Sequence, residues 1–161
     1  MADMRVVIAG AGGRMGRTLV KAIADTNGVT LAGAVDAPGS AVLGRDTGEL
    51  AGLGPNGIKV MADPAPLLDG ADGLIDFTIP AATLVLAEIA AKRGLVHVIG
   101  TTGLTPENEK LIETAAQRSV IVKSGNMSMG VNLLAALAER AARSLPDYDI
   151  RSEERRVGKE C

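Results

Sequence analysis

The residues best placed to do chemistry lie near the amino terminus, in Gly10-Ala11-Gly12-Gly13-Arg14-Met15-Gly16. They follow a short apolar run, Arg5-Val-Val-Ile-Ala, and precede a stretch with helical spacing of apolar residues. A pyrophosphate sits well at a helix N-terminus, where unpaired N–H groups and the positive end of the dipole face it. Side chains at such a turn would hold the anion away, so the turn must be glycine. In this arrangement Gly10 lets the chain reverse, Gly12 and Gly13 let backbone approach phosphate, and Gly16 lets the helix lie close to the strand. Arg14 is within reach of a phosphate. The spacing is Gly-x-x-Gly-x-x-Gly, a variation on the commonest Gly-x-Gly-x-x-Gly. A glycine cluster alone says little; one that ends a strand and opens a helix meets the context the motif requires.

Asp36 stands twenty residues beyond Gly16, at the end of the next apolar run, Val29 to Val35. An acid there accepts hydrogen bonds from the adenosine ribose hydroxyls of a dinucleotide. It could also be a simple strand-end turn residue. The next residue is Ala37 rather than Arg, so no adjacent cation awaits a 2′-phosphate. The expected cofactor is a nicotinamide dinucleotide, NADH in preference to NADPH.

The elements that must position these residues alternate along the chain. Arg5 to Gly10 reads as a buried strand, and Arg14 to Thr26 as a helix with Met15, Leu19, Val20 and Ile23 on its apolar face. Val29 to Val35 is a second strand. Residues 37 to 57 carry six glycines and two prolines and read mostly as loop, with room for one short helical turn. Lys59 to Met61 is a short strand, followed by Asp63 as an N-cap with Pro64 at the first helical position. Gly73 to Phe77 is a strand and Pro80 to Arg93 a helix. His97 to Gly100 is a strand, and a helix capped by Thr105 runs to about Arg118, with acids in its first turn. Val120 to Lys123 is the last strand and Met129 to Ser144 the last helix. Repeated strand–helix units specify an α/β fold with a doubly wound parallel sheet, a Rossmann-like dinucleotide-binding domain.

Composition narrows the class. The chain has 161 residues, 47% of them apolar, with one Phe, one Tyr and no Trp. Its core is therefore small and branched aliphatics, suited to helices packed on a buried parallel sheet. A formal charge of −2 argues against general affinity for nucleic acid or anionic membrane. The only cysteine is Cys161, and no apolar stretch reaches the length of a membrane span. A cytoplasmic protein with no metal site and no disulfide is the expectation.

Three further segments each follow a strand at its carboxyl end: Asp76-Phe77-Thr78-Ile79-Pro80, Gly100-Thr101-Thr102-Gly103-Leu104, and Ser124-Gly125-Asn126-Met127-Ser128-Met129-Gly130-Val131-Asn132. Read by themselves, Gly-Thr-Thr-Gly could be a strand–helix turn with a threonine cap, and Asn126 could merely cap a turn. Together with the glycine loop, and in this order, they resemble the 4-hydroxy-tetrahydrodipicolinate reductase (dihydrodipicolinate reductase) family over residues 4 to about 150. The resemblance implies an NAD(P)H-dependent oxidoreductase of the lysine/diaminopimelate biosynthesis pathway. It implies that Gly10 to Met15 cradle the pyrophosphate and Asp36 holds the ribose. Phe77 and Thr78 would line the cofactor cleft. Gly100, Thr101 and Thr102 would lie beside the nicotinamide, with Thr102 also able to hydrogen-bond a substrate carboxylate. Ser124, Gly125, Asn126 and Met127 would complete the pocket through backbone contacts. Many relatives carry a basic residue where this chain has Ile79, so any contact from there is lost. His97 matches no catalytic position of the family and reads as a satisfied structural histidine.

Residues 1–150 are thus expected to form the NAD(P)-binding domain. Residues 151–161, with seven charges in eleven positions, read as a charged, disordered tail unlike the family. The family's second domain carries a His-rich segment, with the proposed proton donor, and a lysine that binds the dicarboxylate substrate; it also builds the homotetramer. That domain is not present in these residues. The expectation is a chain that binds NADH with little or no reductase activity, monomeric or associating through surface the second domain would cover. Other amino-acid-pathway dehydrogenases, such as aspartate or homoserine dehydrogenase, share the first domain, but the Gly-Thr-Thr-Gly and Asn-Met-Ser-Met segments count against them. A non-catalytic NAD-sensing module is the alternative from a different class.

Overall fold

The computed structural model describes residues 2–149 and residue 151, so the expected tail, Arg151 apart, lies outside the described residues. Among the described residues six strands alternate with six helices: β1 (Met4–Ala9), α1 (Arg14–Ala24), β2 (Val29–Val35), α2 (Thr47–Ala51), β3 (Val60–Met61), α3 (Ala65–Leu68), β4 (Gly73–Asp76), α4 (Pro80–Arg93), β5 (Val96–Ile99), α5 (Pro106–Ala115), β6 (Val120–Lys123) and α6 (Met129–Ser144). The strands form one sheet in the order β3-β2-β1-β4-β5-β6, and every pairing is parallel. This is the doubly wound α/β architecture, with the strand order reversing on either side of β1. The chain divides into two compact units, residues Met1–Gly125 and Asn126–Cys161. The sheet and α1 to α5 make up the first; α6 lies in the second.

Strand β1 shows why the sheet is covered on both faces. Successive side chains of a strand point to opposite sides. Val6 and Ile8 join Val20, Ile23 and Val60 in one core, while Val7 and Ala9 join Leu74, Leu86 and Ala90 in the other. The helices supply matching stripes. In α4, Thr83, Leu86, Ala87 and Ala90 are buried, a 3-4-7 spacing that keeps them on one face. Pro80 opens that helix and Gly94, with φ 67°, ends it.

Three local departures from the sequence reading have physical causes. Met15 is 46% exposed instead of facing the core, because Gly16 occupies the inner side of the first turn and turns its neighbour outward. Asp63 caps from one residue further out: its Oδ1 accepts the Ala65 N–H at 2.9 Å, and Pro64 takes the cap position itself. Helix α5 ends at Ala115 rather than near Arg118, after a capping box in which Asn108, not an acid, reciprocates Thr105. Among the described residues no helix is long and apolar enough to cross a membrane.

Candidate functional site

The carboxyl ends of β1, β2, β4 and β5 bring most of the candidate residues to one edge of the sheet. The glycine loop leaves β1 with Gly10 at φ 80°, a left-handed conformation that side chains disfavour. A Cβ on Gly10 would lie 3.0 Å from the Phe77 carbonyl oxygen and 3.2 Å from Thr78 Cγ2, so the loop also packs against the segment after β4. Ala11 is buried, and its N–H, like that of Gly10, donates to the Val35 carbonyl. A Cβ on Gly16 would meet the Gly10 carbonyl oxygen and come within 2.7 Å of Ala11 Cα, which is the close helix–loop approach expected of that position. Gly12 is glycine for a nearer reason than phosphate: a Cβ there would sit 2.7 Å from Asp36 Oδ2 and 2.7 Å from Val42 Cγ2. Gly13 differs from both, since its Cβ would meet only the Gly10 carbonyl, at 3.3 Å.

Helix α1 begins at this loop with no capping hydrogen bond from its N-cap side chain, as do α3 and α4, which each open on a proline, whereas Asp46, Thr105 and Ser128 cap α2, α5 and α6. Arg14 and Met15 form the exposed first turn of α1. Beside them, Arg17 Nε donates to the Gly12 carbonyl at 3.1 Å and braces the loop, a residue that the sequence reading passed over. Asp36 leaves β2 half-buried. Its Oδ2 accepts the Gly12 N–H at 2.6 Å and its Oδ1 the Ala37 N–H at 2.8 Å. The acid is thereby aimed back at the glycine loop, and each oxygen keeps lone-pair capacity for a further donor.

Across β1 from Asp36, the ends of β4 and β5 carry a buried polar cluster. Asp76, Thr83 and His97 have no exposed surface, and Thr101 has 6%. Asp76 Oδ1 accepts from Thr78 Oγ1 at 2.6 Å and Thr78 N at 3.0 Å. Thr83 donates to Thr101 Oγ1 at 2.8 Å, and that oxygen also accepts the Thr78 N–H at 3.2 Å. Burial pushes the Asp76 carboxyl up, but the His97 imidazole and the hydroxyls of Thr78 and Thr83 outweigh it and hold the group below its usual range. His97 is structural in place but not satisfied in its hydrogen bonding. Neither ring nitrogen makes a hydrogen bond, and Nε2 lies 3.4 Å from Asp76 Oδ2. Its neighbours across the sheet, Leu74 and Ile121, are apolar.

Gly100 has the plainest reason to be glycine: a Cβ there would fall within the Phe77 ring. Thr102 and Gly103 are exposed on the loop that follows. Ser124 and Gly125 follow β6 and close the first unit. Asn126 and Met127 open the second, where Asn126 Oδ1 accepts the Ser128 N–H at 2.8 Å ahead of α6. Ile79 is 65% exposed at the start of α4. The sequence reading assigns no site role to Asp76 or Thr83. The available signal was an acid inside the otherwise apolar strand Gly73-Leu-Ile-Asp76, since a buried carboxylate must find donors.

A family model described as dihydrodipicolinate reductase, N-terminus, matches residues 4–127. The 4-hydroxy-tetrahydrodipicolinate reductase of Afipia carboxidovorans is 58% identical over 151 residues, 93% of this chain and 56% of that protein. The enzyme of the same name from Bradyrhizobium diazoefficiens is 56% identical with the same coverage. The chain therefore spans about half the length of the curated relatives it matches. Among solved structures, a dipicolinate-bound dihydrodipicolinate reductase from Paenisporosarcina sp. TG-14 superposes with a TM-score of 0.70 at 23% identity, covering 90% of this chain and 56% of that one. An oxidoreductase from Agrobacterium radiobacter in complex with NAD+, L-tartaric acid and magnesium gives 0.63 at 16% identity, over 88% of this chain and 41% of that one. At these identities the two structures speak to the fold. The family match and the close relatives speak to descent, and this chain belongs to the dihydrodipicolinate reductase family, in the part that the N-terminal family model describes.

Proposed function

We propose that this chain is the cofactor-binding portion of an NAD(P)H-dependent 4-hydroxy-tetrahydrodipicolinate reductase, with NADH the preferred nucleotide. The observation that carries the reading is the uncapped start of α1 behind the left-handed turn at Gly10, with the Asp36 carboxylate hydrogen-bonded into the same loop. An anion at the first turn of α1 meets unpaired N–H groups and the positive dipole end, and Gly13 offers it an open approach. Gly10, Ala11 and Gly12 shape that turn, while Arg14 and Met15 flank it. Asp36 accepts the ribose hydroxyls. A negative carboxylate at that position repels a 2′-phosphate, and Ala37 brings no compensating cation, which supports NADH over NADPH.

Because the adenosine half takes the β2 side and the pyrophosphate the end of β1, the nicotinamide half extends toward β4 and β5. There Phe77, Thr78, Gly100 and Thr101 form the wall, and exposed Thr102 can donate to a carboxylate of a small dicarboxylate substrate. Ser124 and Gly125 border this edge from β6; the assignment of Asn126 and Met127 rests on the family resemblance alone. A bound reduced nicotinamide supplies a hydride, and these residues bind and orient it so that the transfer is effectively intramolecular. Reduction of the dicarboxylate is proposed for the whole-length protein. Fluorescence titration of the chain with NADH and NADPH tests the reading. Saturable binding with NADH the tighter ligand is expected; binding of neither nucleotide, or tighter binding of NADPH, overturns it.

A further inference from the structure

Two loops on the proposed nicotinamide side are tied together beneath the surface. Thr101 belongs to the segment after β5, yet its Oγ1 accepts the Thr78 N–H of the segment after β4 at 3.2 Å. The same oxygen receives the Thr83 hydroxyl at 2.8 Å and reaches Asp76 Oδ1 at 3.4 Å. The Phe77 ring lies against Gly100 with no room for a side chain, which makes a second tie between the same two segments. Thr101 is 6% exposed and its hydroxyl is spent inward, while Thr102 next to it is exposed. Neither Asp76 nor Thr83 has any surface through which to touch a ligand.

We propose that Thr101 is a positioning residue: its hydroxyl, locked between Thr83 and Asp76, fixes the spacing of the β4 and β5 loops and so the width of the nicotinamide half of the cleft. This rests on the dinucleotide reading above, and it assigns Thr101 a part beyond cofactor contact. Pyrophosphate recognition lies at the end of β1 and adenosine-ribose recognition at the end of β2, and neither uses a hydrogen bond of the tie. The residue therefore governs how the nicotinamide ring is held, and not how the ADP-ribose part is held.

The experiment compares NADH with ADP-ribose, which lacks the nicotinamide ring, by titration calorimetry on the full chain. Thr101→Val keeps the side-chain shape and removes the hydroxyl. It is expected to weaken NADH by ~10-fold while ADP-ribose stays within about twofold, the scale of a lost hydrogen bond felt at one end of a ligand. Thr101→Ser, which keeps the hydroxyl, restores NADH affinity. Thr83→Val breaks the tie from inside α4, and is expected to give the same selective loss even where Thr101→Val fails to fold. Equal weakening of both ligands, or NADH affinity unchanged in the folded Val variants, overturns the proposal. A wild-type chain that binds neither ligand instead overturns the dinucleotide reading, and this inference with it.

Discussion

Gly16 and Gly13 stand three residues apart in one motif but should fail in opposite ways when replaced by alanine. At Gly16 the added Cβ meets the Gly10 carbonyl oxygen and lies 2.7 Å from Ala11 Cα, and both obstacles are backbone that cannot rotate aside. Alanine in a helix is favoured over glycine by ~0.8–1.0 kcal/mol. Forcing a methyl into a packed contact costs about 1–3 kcal/mol, and rigid neighbours put this site at the upper end. The net is a destabilisation of roughly 1–2 kcal/mol, or a fall in melting temperature of ~2–8 °C for a domain of this size. At Gly13 the Cβ meets one atom at 3.3 Å, and the backbone, at φ −72° and ψ 167°, is open to any residue. Alanine there forgoes only the N-cap preference, under about 1 kcal/mol. If Gly13 is glycine to admit a phosphate, the methyl stands in the ligand's path and NADH affinity falls by ~10-fold, about 1.4 kcal/mol. Thermal unfolding followed by circular dichroism and NADH titration by fluorescence give the two readouts on the same samples. A Gly16→Ala variant as stable as the wild type would refute the packing argument. A Gly13→Ala variant that binds NADH normally would refute the phosphate argument.

The other predictions concern charge and packing. Asp36→Asn removes the carboxylate charge at constant shape, and the affinity ratio of NADPH to NADH should rise by ~10-fold or more, read by paired titrations. Asp76 is held below its ordinary value in the folded chain, so the stability it contributes is present above the unfolded pKa and is lost as pH falls through the folded one. Melting temperature should therefore drop steeply below about pH 4, and Asp76→Asn should flatten that limb; equally steep limbs in the two proteins would count against the assignment. Gly100→Ala drives a methyl into the Phe77 ring and should cost about 1–3 kcal/mol. Phe77→Leu should relieve part of that loss in the double variant, and strictly additive unfolding energies would refute the contact.

Much of the fold was legible because periodicity is a local property. Alternating apolar runs and 3.6-residue stripes placed all six strands and the four long helices α1, α4, α5 and α6, and Thr105 marked a helix start by its capping side chain. The outward turn of Met15 was not legible, since it depends on which residue of the first turn is squeezed against the β1 loop. The same holds for the site. The glycine loop and Asp36 could be found because strand, turn and helix lie within one βαβ unit, so their spacing along the chain reports their spacing in space.

The sequence by itself determined the doubly wound class, the candidate dinucleotide loop with its acid, and the family. Tertiary structure alone decided what each glycine is for. Gly12 makes room for Asp36 and Val42, Gly16 for the backbone of Gly10 and Ala11, and Gly100 for the Phe77 ring, while a Cβ at Gly13 would meet a single atom. It alone also decided that Asp76, Thr83, His97 and Thr101 form one buried cluster. These residues come from β4, α4, β5 and the loop after it, and nothing in their order along the chain encodes that meeting. Parallel pairing brings strand ends together across intervening helices, so contacts at the carboxyl edge are long-range by construction, and their chemistry exists only once the sheet has formed.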